Sequence, residues 1–131
     1  MRVLLWCFLL FMCKPCFSQA EKMVADSIAN YTAQFCEKSY LPFTKNCCTK
    51  KCIAYFTKEK VAEICKQRNL YQGEFEKLSY IETKFFAKGT VYRYKATYTR
   101  SRYYATEIRI YVNEKHKIRR ISFLRWNDDF K

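Results

Sequence analysis

The hydrophobic period of this chain changes once, at Gln72-Gly73, and that change divides it into a helical half and a sheet half. Before it, Val24, Ile28, Tyr31 and Phe35 recur at steps of four, three and four, the spacing that gathers apolar side chains on one helix face. A helix is therefore expected from Glu21 to about Ser39, where Pro42 disfavours helical geometry at Leu41. Thr57 is a predicted N-cap for a helix through Arg68, with Glu59 near its positive end and Val61, Ile64 and Cys65 on its buried face. The intervening Phe43 to Phe56 holds a cysteine cluster and room for a short helix.

After Gly73 the period is two, and β-branched and aromatic residues dominate. Strands are expected over Leu78 to Ala87, Val91 to Thr99, Tyr103 to Val112 and Ile118 to Trp126, with turns at Lys88-Gly89 and at Asn113 to Lys117. In the second strand Tyr92, Tyr94, Ala96 and Tyr98 alternate with Arg93, Lys95 and Thr97. In the third, Thr106, Ile108, Ile110 and Val112 alternate with Glu107 and Arg109. Connections this short make the sheet antiparallel. Helices followed by such a meander predict an α+β domain with N-terminal helices packed on a four-stranded antiparallel sheet. The order resembles the cystatin-like and nuclear-transport-factor-2-like α+β superfold, in which a curved sheet wraps a helix. Cystatin inhibitors use a Q-x-V-x-G hairpin; Lys84-Phe85-Phe86-Ala87-Lys88-Gly89 lacks its glutamine and register, so inhibitory activity is not carried over.

Residues 1–20 read as a cleavable secretory signal. Arg2 supplies the positive start, Val3 to Cys13 the apolar core, and Pro15 with Ser18-Gln19-Ala20 the turn and small-residue cleavage step before Glu21. Lys14 stops the apolar run short of a membrane span, so no transmembrane segment is expected after cleavage. The expected mature chain is one domain over 21–131, helical and cysteine-rich over 21–72 and a sheet over 77–127, secreted or periplasmic. The leader carries no acid, so its loss lowers the formal net charge from +13 to +11. Such an excess favours acidic proteins, anionic glycans or membrane head groups as partners.

Export makes bridging the default for Cys36, Cys47, Cys48, Cys52 and Cys65, the cysteines that remain. Neighbours 47 and 48 are poorly placed to bond each other, so Cys36 and Cys65 are each expected to join one of Cys47, Cys48 and Cys52. The C-C-x3-C spacing is a poor match to paired zinc knuckles, and neither a metal nor another cofactor is expected.

The only histidine, His116, sits between two lysines in a predicted turn, and 2 glycines cannot build a phosphate loop. Glu82 and Glu107, the acids well inside strands, are expected to balance basic neighbours across the sheet. A catalytic site is not expected. The run Tyr92 to Tyr104 interleaves tyrosines with Arg93, Lys95, Arg100 and Arg102, which suits stacking on single-stranded nucleic acid. Strand alternation instead sends the tyrosines to the core and the cations outward, so no specific nucleic-acid role is expected. Arg93, Lys95, Arg109, Arg119 and Arg125 can share the outer face if the registers agree, forming a positive patch. Asn30-Tyr31-Thr32 matches an N-glycosylation sequon with Tyr31 on the apolar helix face. The favoured function is a basic, non-catalytic binding module for an acidic protein, glycan or membrane surface. The rivals are an enzyme or small-ligand carrier with a pocket between sheet and helix, and a secreted inhibitor, toxin or immunity protein acting through Asn113 to Lys117.

Overall fold

A computed structural model describes residues 2–37, 43–100, 105–128 and 130, with side chains from residue 18 onward. Helix α1 (Arg2–Ala33) is followed by a 3-10 turn at Phe35–Glu37 and by helices α2 (Lys50–Tyr55) and α3 (Lys58–Tyr71). Strands β1 (Phe75–Phe86), β2 (Gly89–Tyr98), β3 (Thr106–Asn113) and β4 (Ile118–Arg125) then form a sheet in the order β1-β2-β3-β4, each antiparallel to its neighbour. The α+β meander is thus as expected. The predicted third-strand start at Tyr103, and the helix end near Ser39, lie outside the described residues.

The tyrosines of β2 explain how helix and sheet meet. Alternation places Tyr92, Tyr94 and Tyr98 on the inner face, where all three are buried. Buried phenols need partners, and each hydroxyl donates to α1: Tyr92 to the Glu21 carboxylate at 2.8 Å, Tyr94 to Asp26 at 2.6 Å, and Tyr98 to the Ala33 carbonyl at 2.7 Å. These contacts run α1 along β2 from the turn end of the sheet to the far end. Ala25 and Ala29 are fully buried beside Ile28 and Thr32. Val24, expected on the buried face, is instead 40% exposed, because two small residues a turn apart let the backbone approach the sheet more closely than valine does.

Helical geometry also ends sooner than the proline suggests. Arg68 of α3 donates through Nη1 to the carbonyls of Thr32 at 3.1 Å and Ala33 at 2.9 Å, and its guanidinium lies over the rings of Phe35, Tyr98 and Phe123. A cation at the negative end of α1 caps its terminal carbonyls and lets the chain turn so that Phe35 stacks on Phe123. Thr57 caps α3 as expected, accepting from the Lys60 amide. Thr49 caps α2 in the same way, accepting from the Cys52 amide.

The cysteine pairing corrects the sequence expectation. Cys36 and Cys65 stand at disulfide distance from each other, Cα–Cα 5.3 Å, and neither joins the central cluster. With α1 ended at Ala33, Cys36 sits against α3 one turn from Arg68, while Cys47, Cys48 and Cys52 lie at the other end of the helical layer beside Ile118.

Candidate functional site

Two regions gather the charge chemistry of the sheet. The first is the outer face, where cross-strand pairing sets Glu82 beside Arg93 and Arg93 beside Arg109. Arg93 donates Nε to Glu107 Oε1 at 2.7 Å and Nη2 to Oε2 at 3.2 Å, and Nη1 reaches Glu82 at 3.2 Å. Arg109 donates Nε to the same Glu107 carboxylate at 2.5 Å. The acids therefore balance basic neighbours as expected, but the cations do not face water. Arg93 is 2% exposed and Arg109 8%.

The cause is the C-terminal segment, which folds back across this face. Trp126 N donates to the Ala105 carbonyl at 2.8 Å, and Arg93 Nη2 donates to the Asn127 carbonyl. Trp126 lies against Arg93 and Lys95, and Phe130 against Arg93, Arg109 and Lys84. Burial pushes the Glu107 carboxyl up, but hydrogen bonds from Arg93 and then Arg109 outweigh it and hold the group below the usual carboxylate range. Hydrogen bonding to Glu107 raises Arg93; burial opposes a rise at Arg109, but Glu107 and Tyr111 together outweigh it. A small cleft of ≈ 240 Å³ remains between Phe130, Phe86, Arg109, Tyr111 and Arg119.

The expected five-residue patch is therefore divided. Arg93 and Arg109 are consumed in the buried network, and Lys95 is half-buried against Trp126. Arg125 faces Thr106, which alternates with Ile108 and Ile110, so its register is that of the inner face. Arg119 is the extra residue of a bulge, since Tyr111 faces Arg120 whereas Val112 faces Ile118.

That bulge opens the second region, a groove of ≈ 800 Å³ between α2 and the outer edge of β4. It is lined by Thr49, Lys51, Cys52, Ala54, Tyr55, Phe56, Arg119, Arg120, Ile121 and Ser122. Three of these are cations, all exposed, and none is an acid. Arg120 and Arg119 both lie over Tyr111, at 4.3 and 6.0 Å. The groove begins where the chain makes a parallel bridge between Cys48 and Ile118, with Thr49 N donating to Ile118 O at 2.9 Å and Ile118 N to Cys47 O at 2.8 Å. At Thr49 the backbone leaves the sheet edge to start α2. Sequence reading overlooked Lys51, Tyr55 and Arg120; the adjacent pairs Lys50-Lys51 and Arg119-Arg120 were the available signal.

Two smaller clusters complete the inventory. His116, exposed and at φ 57°, contacts the Glu21 carboxylate through Nδ1, tying the β3–β4 turn to α1. Cys47 Sγ lies 3.4 Å from Cys48 Sγ. Hydrogen bonding with Cys52, then burial, pushes the Cys48 thiol far above its ordinary range, while the same contact lowers Cys52. Among the described residues, no group of three His, Cys, Asp or Glu side chains could hold a metal ion, and no helix is long and apolar enough to cross a membrane. No protein-family model, curated protein or solved structure matches the chain.

Proposed function

We propose that the chain is a small basic binding module, exported after cleavage at Ala20 and non-catalytic, that takes an extended acidic protein segment along β4. The observation that carries this reading is the groove beside that strand, three cations and no acid along an edge whose first residue already pairs with another piece of chain. The Cys48–Ile118 bridge is a one-residue version of strand addition, in which main-chain hydrogen bonds give affinity and flanking side chains give specificity. Lys51, Arg119 and Arg120 would meet carboxylates on such a segment, and Tyr55, 55% exposed, offers a ring for an apolar neighbour. Cleavage after Ala20 would keep the Tyr92, Tyr94 and Tyr98 hydroxyl contacts to α1, which fall on Glu21, Asp26 and Ala33. The cystatin-like outline supports a scaffold role without choosing a ligand.

The test is binding of a labelled oligoglutamate peptide, followed by fluorescence anisotropy at increasing salt. Lys51→Glu combined with Arg119→Glu and Arg120→Glu should weaken binding tenfold or more at low salt, with affinity of the unaltered protein falling as salt rises. Equal binding by the triple variant would remove the groove as the site.

A further inference from the structure

The end of the sheet that carries both hairpin turns has a different chemistry from the groove. In a meander, the β1–β2 and β3–β4 turns fall at the same end, and pairing of Gly89 with both Phe86 and Asn113 confirms it. The first turn projects Phe85, 75% exposed, and Phe86, 54% exposed, on consecutive residues. Alternation aims the two rings to opposite sides of the strand, so a core behind the sheet could shelter only one of them, and here it shelters neither. Lys84 and Lys88 flank the pair, and Lys115 stands exposed on the neighbouring turn with Glu114 the exposed acid beside it. Lys84 is also paired with Glu82 at 3.2 Å, leaving Lys88 and Lys115 as the outward cations. Helix α1 passes the same end, for Glu21 meets His116 there, and Met23, two residues further along α1, is 71% exposed.

We infer that this end docks on an anionic membrane surface, with Phe85 and Phe86 entering the headgroup region and Lys88 and Lys115 held over acidic lipid phosphates. Phe85 stands clear of the sheet, while Phe86 borders the small cleft it shares with Phe130, so the tip pairs outward apolar rings with the flanking charges of Lys88 and Lys115. A bilayer interface takes that pairing, gaining from apolar insertion and from each lysine near the surface. Gly89 lets the tip lie close against β3, because a Cβ there would lie 2.0 Å from the Val112 carbonyl oxygen. This surface meets the β4 groove at Arg119, which lines both the cleft beside Phe86 and the groove, so the two readings are told apart by variants at Phe85, Phe86 and Lys88 on one side and Lys51 and Arg120 on the other.

The experiment uses protein recovered through the export route, its N-terminus read by mass spectrometry. It is sedimented with vesicles of phosphatidylcholine alone or with phosphatidylglycerol. Binding is expected only with the anionic lipid. Phe85→Ser with Phe86→Ser should lower it by on the order of tenfold, and Lys88→Gln by about fivefold. In a second measurement, Phe85→Trp should add emission that shifts to the blue on binding and is quenched by brominated lipid. Unchanged partitioning of the folded double variant, absence of quenching, or binding lost only on Lys51→Glu with Arg120→Glu would overturn the inference. Oligoglutamate binding by the tip variants should stay as in the unaltered protein, which separates this surface from the groove.

Discussion

Arg93 and Glu107 form a two-pronged pair between neighbouring strands, at 2.7 and 3.2 Å, with Arg93 2% and Glu107 1% exposed. Breaking one side of such a pair leaves a buried charge uncompensated, which costs more than the intact pair contributes. Glu107→Gln removes the carboxylate that two buried guanidinium groups share, leaving Arg93 with Glu82 as its ion-pair partner. It should lower stability by about 3–5 kcal/mol in urea unfolding.

The same carboxylate sets an acid limit. Its folded pKa is depressed, so its contribution is fully present above the ordinary glutamate value of about 4.3 and is lost as pH falls through the lower folded value. Unfolding midpoints measured from neutral pH downward should stay level and then drop below about pH 4. Glu107→Gln should remove most of that drop. An identical acid limb in the variant would assign it to other carboxylates.

Arg68 links a helix to a carbonyl pair more than thirty residues earlier. Arg68→Met keeps the aliphatic bulk but removes the donor that the Thr32 and Ala33 carbonyls share, leaving Ala33 with the Tyr98 hydroxyl alone. A loss of about 2–4 kcal/mol is expected, with faster amide exchange concentrated in the last turn of α1. Uniform exchange changes across the sheet would contradict the capping role.

Peptide mapping without reduction should recover Cys36 linked to Cys65, and not to Cys47, Cys48 or Cys52. Replacing both bridge cysteines by serine opens a loop of 29 residues and should cost about 3–4 kcal/mol in the chain-entropy account.

Gly89→Ala places a methyl against the Val112 carbonyl at a backbone φ of +140°, which an L side chain rarely adopts. The expected loss exceeds about 1 kcal/mol in thermal unfolding, far above that of alanine at an exposed strand position.

Local pattern carried much of the architecture into the sequence. Tyr92, Tyr94 and Tyr98 read as core because a strand alternates, and Thr57 read as a cap because its hydroxyl is followed by a helical period. What escaped was set by distant chain. Arg93 has the same local pattern as a solvent-facing cation, and only the return of Trp126 and Phe130 thirty-odd residues later buries it. The helix stop at Ala33 depends on Arg68, and the cysteine pairing follows that stop. Ala25 and Ala29 add little to an apolar count, yet their smallness decides which face of α1 meets the sheet. The groove needed the β4 bulge, a one-residue offset visible only once β3 and β4 are paired.

The export proposed above, with the N-terminus threaded first through a translocation channel, would give the order of elements a consequence. Cys36, Cys65 and the Arg68 cap all precede β1, so the helical half emerges with its crosslink partners before any strand exists. Oxidation can then lock α3 to the end of α1 while the sheet is still inside the channel. Each later strand adds beside the one just delivered, and Trp126 and Phe130, which follow β4, close over the Arg93 network only after the sheet is paired.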